Sequence, residues 1–193
     1  ADRNVDRMIF GWEMPASMTQ FFNPFFIILF GSIFSIMWVK LSQIGKNPSI
    51  PLKFCFGIVQ LALGFLLTKL GFQFVNEAYQ VPILTLVFLY MLHTSGELFL
   101  SPIGLSMVTK LSPKSMAGTA MGAWFLSFAI ANYAGGKIAA ITGGHGGGEV
   151  VSAEAGLLQY LDVFSTIGYV LLVIAAIIFL LNKPIKKLMH GVE

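Results

Sequence analysis

Between Glu77 and Lys110 the chain carries only two side chains able to hold a charge near neutral pH, His93 and Glu97, and from Met14 to Val39 it carries none. About 20 consecutive apolar residues suffice to cross the hydrocarbon core of a bilayer as a helix. A carboxylate in the middle of such a run costs several kcal/mol even on lenient insertion scales, so an acid placed there marks a substrate or proton path by default. Gly96 and Pro102 bracket the position. Pro102 removes one helical hydrogen bond and disfavours helix at Ser101. The stretch 91–106 therefore reads as an interrupted membrane helix with an acid at its waist. The competing structural reading is a Glu97 paired with a lysine or a backbone group only to hold helices together.

Composition agrees with the patterning. Hydrophobic residues make up 56% and charged residues 11%, against about a quarter charged in soluble globular domains. The class is an all-α integral membrane protein. The net charge of +3 is no nucleic-acid signal, because eight of the twelve Lys and Arg fall in short loops on one side. Cys55 is the single cysteine and cannot form an internal disulfide; set among Phe and Leu, it reads as a packed thiol. The chain opens on Ala1-Asp-Arg-Asn-Val-Asp-Arg7 with neither a signal-peptide pattern nor an initiator Met. It is expected to be a piece of something larger.

Residues 1–17 alternate in charge and are expected to form an extracytoplasmic loop, with 18–193 forming a helical bundle. Five spans are expected, at about 18–41, 52–70, 81–110, 116–140 and 157–181. Asn23-Pro24 opens the first, and Trp38 with Lys40 marks its far interface. Lys53 and Lys69 bound the short second span and are expected to snorkel to opposite surfaces. In the fourth, Gly118 and Gly122 form a Gly-x-x-x-Gly pair suited to close helix approach. Gly143-Gly-His-Gly-Gly-Gly148 has neither the preceding strand nor the following Lys-Ser/Thr of a phosphate loop and reads as a flexible connection. Lys40, Lys46, Lys53, Lys110, Lys114, Lys183, Lys186 and Lys187 fall on one side, which places the C-terminus in the cytoplasm and the N-terminus outside.

Catalysis finds little support. His93 and Glu97 are four apart and share a helix face, but a metal site needs three or four ligands and the spans offer no other His. No nucleophile–base grouping is apparent. A buried Glu can exchange a proton for a charged substrate group, a property useful to a coupled transporter. His93 could tune it, or could be tucked against a neighbouring helix. Ser101, one turn beyond Glu97, could share its ligand or bond back to its own helix. Trp124 falls near mid-membrane, where its indole N–H wants a partner; lining a cavity would supply one, and so would bundle packing.

Gly96-Glu-Leu-Phe-Leu-Ser-Pro-Ile-Gly104 resembles the tenth-helix signature of proton-coupled oligopeptide transporters (the POT or PTR family) in the major facilitator superfamily. Residues 1–7 resemble the loop after their seventh helix, Asn23-Pro24 the start of the eighth, and Trp124-Phe125 the place where the eleventh carries a binding-site Trp. The resemblance implies the C-terminal half of such a transporter, its eighth to twelfth helices, lying in the cell's inner or plasma membrane. It implies symport of di- and tripeptides with protons as coupling ion and no other cofactor. The missing N-terminal half, the peptide and the bilayer are the implied partners. Glu97 would pair with the peptide's ammonium, Asn23 with its backbone, and Ser101 and Trp124 would line the cavity. Leu105 and Met121 would close a cytoplasmic gate. The family's proton-coupling acids and carboxylate-binding cations lie outside this sequence. Other readings are a relative carrying nitrate or another small solute, a membrane scaffold or assembly subunit, and, last, an intramembrane metalloenzyme.

Overall fold

The computed structural model describes residues 4–142 and 152–190; the glycine-rich run 143–148 lies outside them. Five long helices carry the fold: α1 (Phe22–Gln43), α2 (Ile50–Phe72), α3 (Ile83–Leu111), α4 (Ala117–Thr142) and α5 (Ala153–Leu180), followed by a short α6 (Asn182–Leu188). A tight helical turn, Ala16–Phe21, leads into α1. Among the described residues four segments are long and apolar enough to cross a membrane: Ala16–Gln43, Ile50–Phe72, Ile83–Leu111 and Ala153–Leu180. Gly, Ser, Thr and Asn dilute the apolar character of α4, although its 26 residues would reach about 39 Å at 1.5 Å per residue.

α2 is the centre of the bundle, packing extensively on α3 to one side and α5 to the other; α1 covers α3, and α4 touches α3 and α5 more lightly. Small residues make the close packing of α2 possible. Gly57, Gly64 and Gly71 recur every seven residues and meet α3, while Gly168 of α5 backs onto Ala62 and Leu66. In lipid, where no hydrophobic force drives helices together, such backbone approach supplies the van der Waals contact. α1 joins α3 through aromatic rings. Phe26, Phe30 and Phe34 stack at 5.6 Å steps along α1, and Phe34 and Trp38 both meet Phe99 edge-on at 5.0 Å.

Polar side chains tie off the two ends. At one end Asn4, buried, donates to the carbonyls of Tyr79 (3.0 Å) and Ala153 (2.9 Å), and its own carbonyl accepts from Val81. There β1 (Val5–Asp6) pairs in parallel with β4 (Val81–Pro82). At the other end Ser49 donates to Asn182 at 2.6 Å, joining the start of α2 to the start of α6. The segment before α1, expected as a loop, contains a hairpin: β2 (Met8–Ile9) pairs with β3 (Trp12–Glu13) around Phe10 and Gly11, both at positive φ. Arg7 braces its base with an ion pair to Glu13 at 2.8 Å and a bond to the Met14 carbonyl.

Two expectations fail. α3 runs unbroken through Pro102, where the sequence suggested an interruption. A break in lipid would orphan several backbone groups, whereas proline orphans one carbonyl. Lys53 does not snorkel outward. It is buried, with its ammonium 4.8 Å from the centre of the Trp38 ring. A cation over the face of an indole is held by the ring quadrupole, which offsets part of its desolvation.

Candidate functional site

α3 sorts its polar side chains into two groups. Thr94, Ser95 and Gly96 are buried; facing α2, Gly96 backs onto Gly57, and Ser95 hydrogen-bonds Gln60 as well as the Leu92 carbonyl. The His93 imidazole lies against Gly64 and 4.4 Å from the Phe65 ring, and its Nε2 is buried without a partner. Glu97, in contrast, is exposed, and among the described residues no hydrogen bond or ion pair holds its carboxylate. The two residues expected on one face thus have different surroundings: His93 is tucked against a neighbouring helix, and Glu97 is exposed.

The other candidate residues are strung along α3 rather than gathered around Glu97. Phe22 meets Tyr90 at 6.1 Å, so half-buried Asn23 stands at the level of Tyr90, about 10 Å up the α3 axis from Glu97 at 1.5 Å per residue. Trp124 lies against Gly104, about 10 Å down the axis by the same measure. Ser101, half-buried, lies one turn from Glu97 toward that end. Leu105 (38% exposed) follows Gly104, and half-buried Met121 precedes Trp124 by three residues, so both belong to the α3–α4 crossing. An extended tripeptide spans at most about 10–11 Å. A ligand held by Glu97 can therefore reach toward Asn23 or toward Trp124, but not to both.

The α3–α4 crossing is set by one glycine. A Cβ on Gly104 would run into the Trp124 Cη2 and would lie 3.2 Å from Phe54 Cζ. The Trp124 indole is half-buried there, with Phe128 edge-on at 6.3 Å. Sequence reasoning missed the seam behind the site, formed by Gln60, Gly57 and Gly64 of α2. The signal was present: three glycines at a seven-residue interval put one bare stripe on one helix face.

Comparison with known proteins gives one answer. The POT family model matches residues 1–147. The chain is 36% identical over 191 residues to dipeptide and tripeptide permease A of Edwardsiella piscicida, covering 99% of this chain and 38% of the permease. It is 36% identical to the peptide transporter YePEPT of Yersinia enterocolitica, covering 100% of this chain and 36% of that protein. Among solved structures it is similar to a crystal structure of a peptide transporter POT in complex with sulfate, with a TM-score of 0.82 at 30% identity over 98% of this chain and 35% of the other. It is also similar to tetrameric PepTSo2, with a TM-score of 0.76 at 25% identity over 96% of this chain and 37% of that one. The chain thus spans little more than a third of the length of these relatives.

Proposed function

Because the chain belongs to the POT family, and so is a multi-pass protein of the inner or plasma membrane, we propose that it supplies one wall of a cavity that binds di- and tripeptides. Transport is by symport with protons and by alternating access against an N-terminal half with its own helices. The observation that carries the reading is the exposed carboxylate of Glu97, the one acid of α3, which has no partner among the described residues. It complements the α-ammonium that every unmodified peptide presents. Ser101 lies on the same wall within one turn. Asn23 would meet the backbone of a peptide that extends toward its end, and Trp124 a side chain of one that extends toward the other. Leu105 and Met121 would close the passage at the α3–α4 crossing. The nitrate reading is disfavoured, since a carboxylate facing the cavity repels anions.

Five crossings, with the N-terminus outside, are part of this reading. α3 starts at the Asn4 end, where Val81 bonds Asn4, and α5 starts there too, at Ala153. α4 follows directly on α3, and Trp124 meets Gly104, an antiparallel register that carries α4 back across the same thickness. The bond between Ser49 and Asn182 gathers the basic loop 40–53 and the lysines of α6 at the opposite end, the distribution expected of a cytoplasmic face.

The test is uptake of labelled trialanine into proteoliposomes holding the full polypeptide under an inward proton gradient, beside a Glu97→Gln variant of equal reconstitution yield. Gradient-driven uptake that falls by roughly tenfold or more in the variant is the expected result; one well-placed charge-assisted bond is worth about 1.5–3 kcal/mol. No uptake from a folded wild-type protein favours the scaffold reading. Full uptake by Glu97→Gln removes the ammonium role.

A further inference from the structure

Nothing among the described residues grips the Glu97 carboxylate, so its aim depends on how α3 is turned about its own axis. Two contacts with α2 set that rotation, and both lie within a turn of Glu97. In the first, the His93 ring occupies the notch left by the missing side chain of Gly64: a Cβ there would meet the ring's Cδ2 and Nε2 atoms, the latter at 2.8 Å. Phe65 closes one side of the ring at 4.4 Å. In the second, Gly96 backs onto the Gly57 carbonyl, where a Cβ would sit 2.6 Å from the oxygen.

The His93 Nε2 is buried and makes no bond. A buried polar atom without a partner is destabilising, so an apolar side chain would pack here more cheaply. The fit of this particular ring to the notch is the property that distinguishes the position. Rotation of α3 by about 20° would move a group some 5–6 Å from the axis by about 2 Å, more than a charge-assisted hydrogen bond tolerates.

We infer that His93, seated in the Gly64 notch, is a positioning residue that fixes the rotation of α3 and thereby aims Glu97 at the substrate's ammonium. The inference rests on the reading of Glu97 given above. His93 itself does not touch the substrate, since its ring faces α2.

Gly71 provides the internal comparison. It is the same kind of contact on the same helix, with Thr85 in place of His93, but it lies far from Glu97. In the full polypeptide in proteoliposomes, Gly64→Ala and Gly71→Ala should both lower the melting temperature. Gly64→Ala alone should raise the KM for trialanine, by roughly tenfold, as misplacement of an ångström or more does at a binding centre. Its maximal rate per folded molecule should stay close to wild type. His93→Ala alone should raise the KM in the same way, because nothing then seats α3 in the Gly64 notch. Equal KM values in the two glycine variants, or an unchanged KM in His93→Ala, would overturn the role. Should Gly64→Ala fail to fold, His93→Leu serves in its place, with a raised KM expected and an unchanged KM counting against the inference. Glu97→Gln run alongside separates the two levels. An unchanged KM in that variant removes the reading of Glu97 itself, and the inference with it. A raised KM there with none in Gly64→Ala removes only the inference.

Discussion

Three charged or polar side chains set in apolar helices meet three different ends. Lys53 is buried beneath Trp38, His93 fills a glycine notch, and Glu97 is left open. The sequence singled out Glu97 because an acid inside an apolar run is visible without knowing what surrounds it. It misplaced Lys53 because the partner ring lies 15 positions earlier on another helix, and a side chain near a span's end looks the same whether it turns outward or inward. The tightest single contact at the α3–α4 crossing yields a prediction at this scale. Gly104→Ala would drive a methyl into the Trp124 ring, an overpacking that typically costs about 1–3 kcal/mol. A fall in melting temperature is expected for the purified full-length protein, with recovery when Trp124→Phe is added, because the smaller ring vacates the occupied space. A Gly104→Ala protein that melts with wild type would mean that α4 shifts freely at this point.

Helix existence was legible from apolar run length, since crossing lipid leaves the backbone no other open-chain option. That same constraint explains why Pro102 failed to break α3. The hairpin before α1 was not legible, because two-residue turns of this kind favour Asn-Gly or Asp-Gly and here a phenylalanine, Phe10, takes the positive φ. The way that segment is anchored was equally hidden: Asn4 bonds residues 75 and 149 positions away. Asn4→Ala would remove the donor from two part-buried hydrogen bonds, each worth roughly 0.5–1.5 kcal/mol, and should speed proteolysis between β1 and α1 in the folded protein. The neighbouring Tyr79 adds a pH dependence. Its hydroxyl donates to Glu154, whose hydrogen bond and charge hold the phenol pKa above the ordinary tyrosine value. A raised folded pKa means that the contact contributes fully below the unfolded tyrosine's pKa and is lost as pH rises through the folded one. Wild type and Tyr79→Phe should therefore differ by a constant margin in melting temperature at neutral pH and converge in strong alkali. A margin that stays constant through the alkaline range would show the hydroxyl contact to be absent.

On the scale of the whole bundle, the question left by hydropathy is whether α4 crosses. Four apolar segments would return the chain to the side it started from, whereas five would leave the ends on opposite sides. The hydrogen bonds favour five: Asn4 gathers the starts of α3 and α5, and Ser49 with Asn182 gathers the start of α2 and the end of α5. α4 joins these two ends, and its 26 residues match the roughly 30 Å hydrocarbon core with some tilt. Cysteine labelling tests this directly, because the native Cys55 is buried and gives a silent background. Phe10 is fully exposed at the hairpin turn, and Lys46 and Lys186 belong to the opposite, basic end. In intact cells a membrane-impermeant maleimide should label Phe10→Cys, and should label Lys46→Cys and Lys186→Cys only after permeabilisation. Labelling of Phe10→Cys and Lys186→Cys from the same side would mean that α4 does not cross. It would also remove the geometry by which Trp124 reaches a cavity shared with Glu97, since α4 would then lie along the bilayer surface instead of across it.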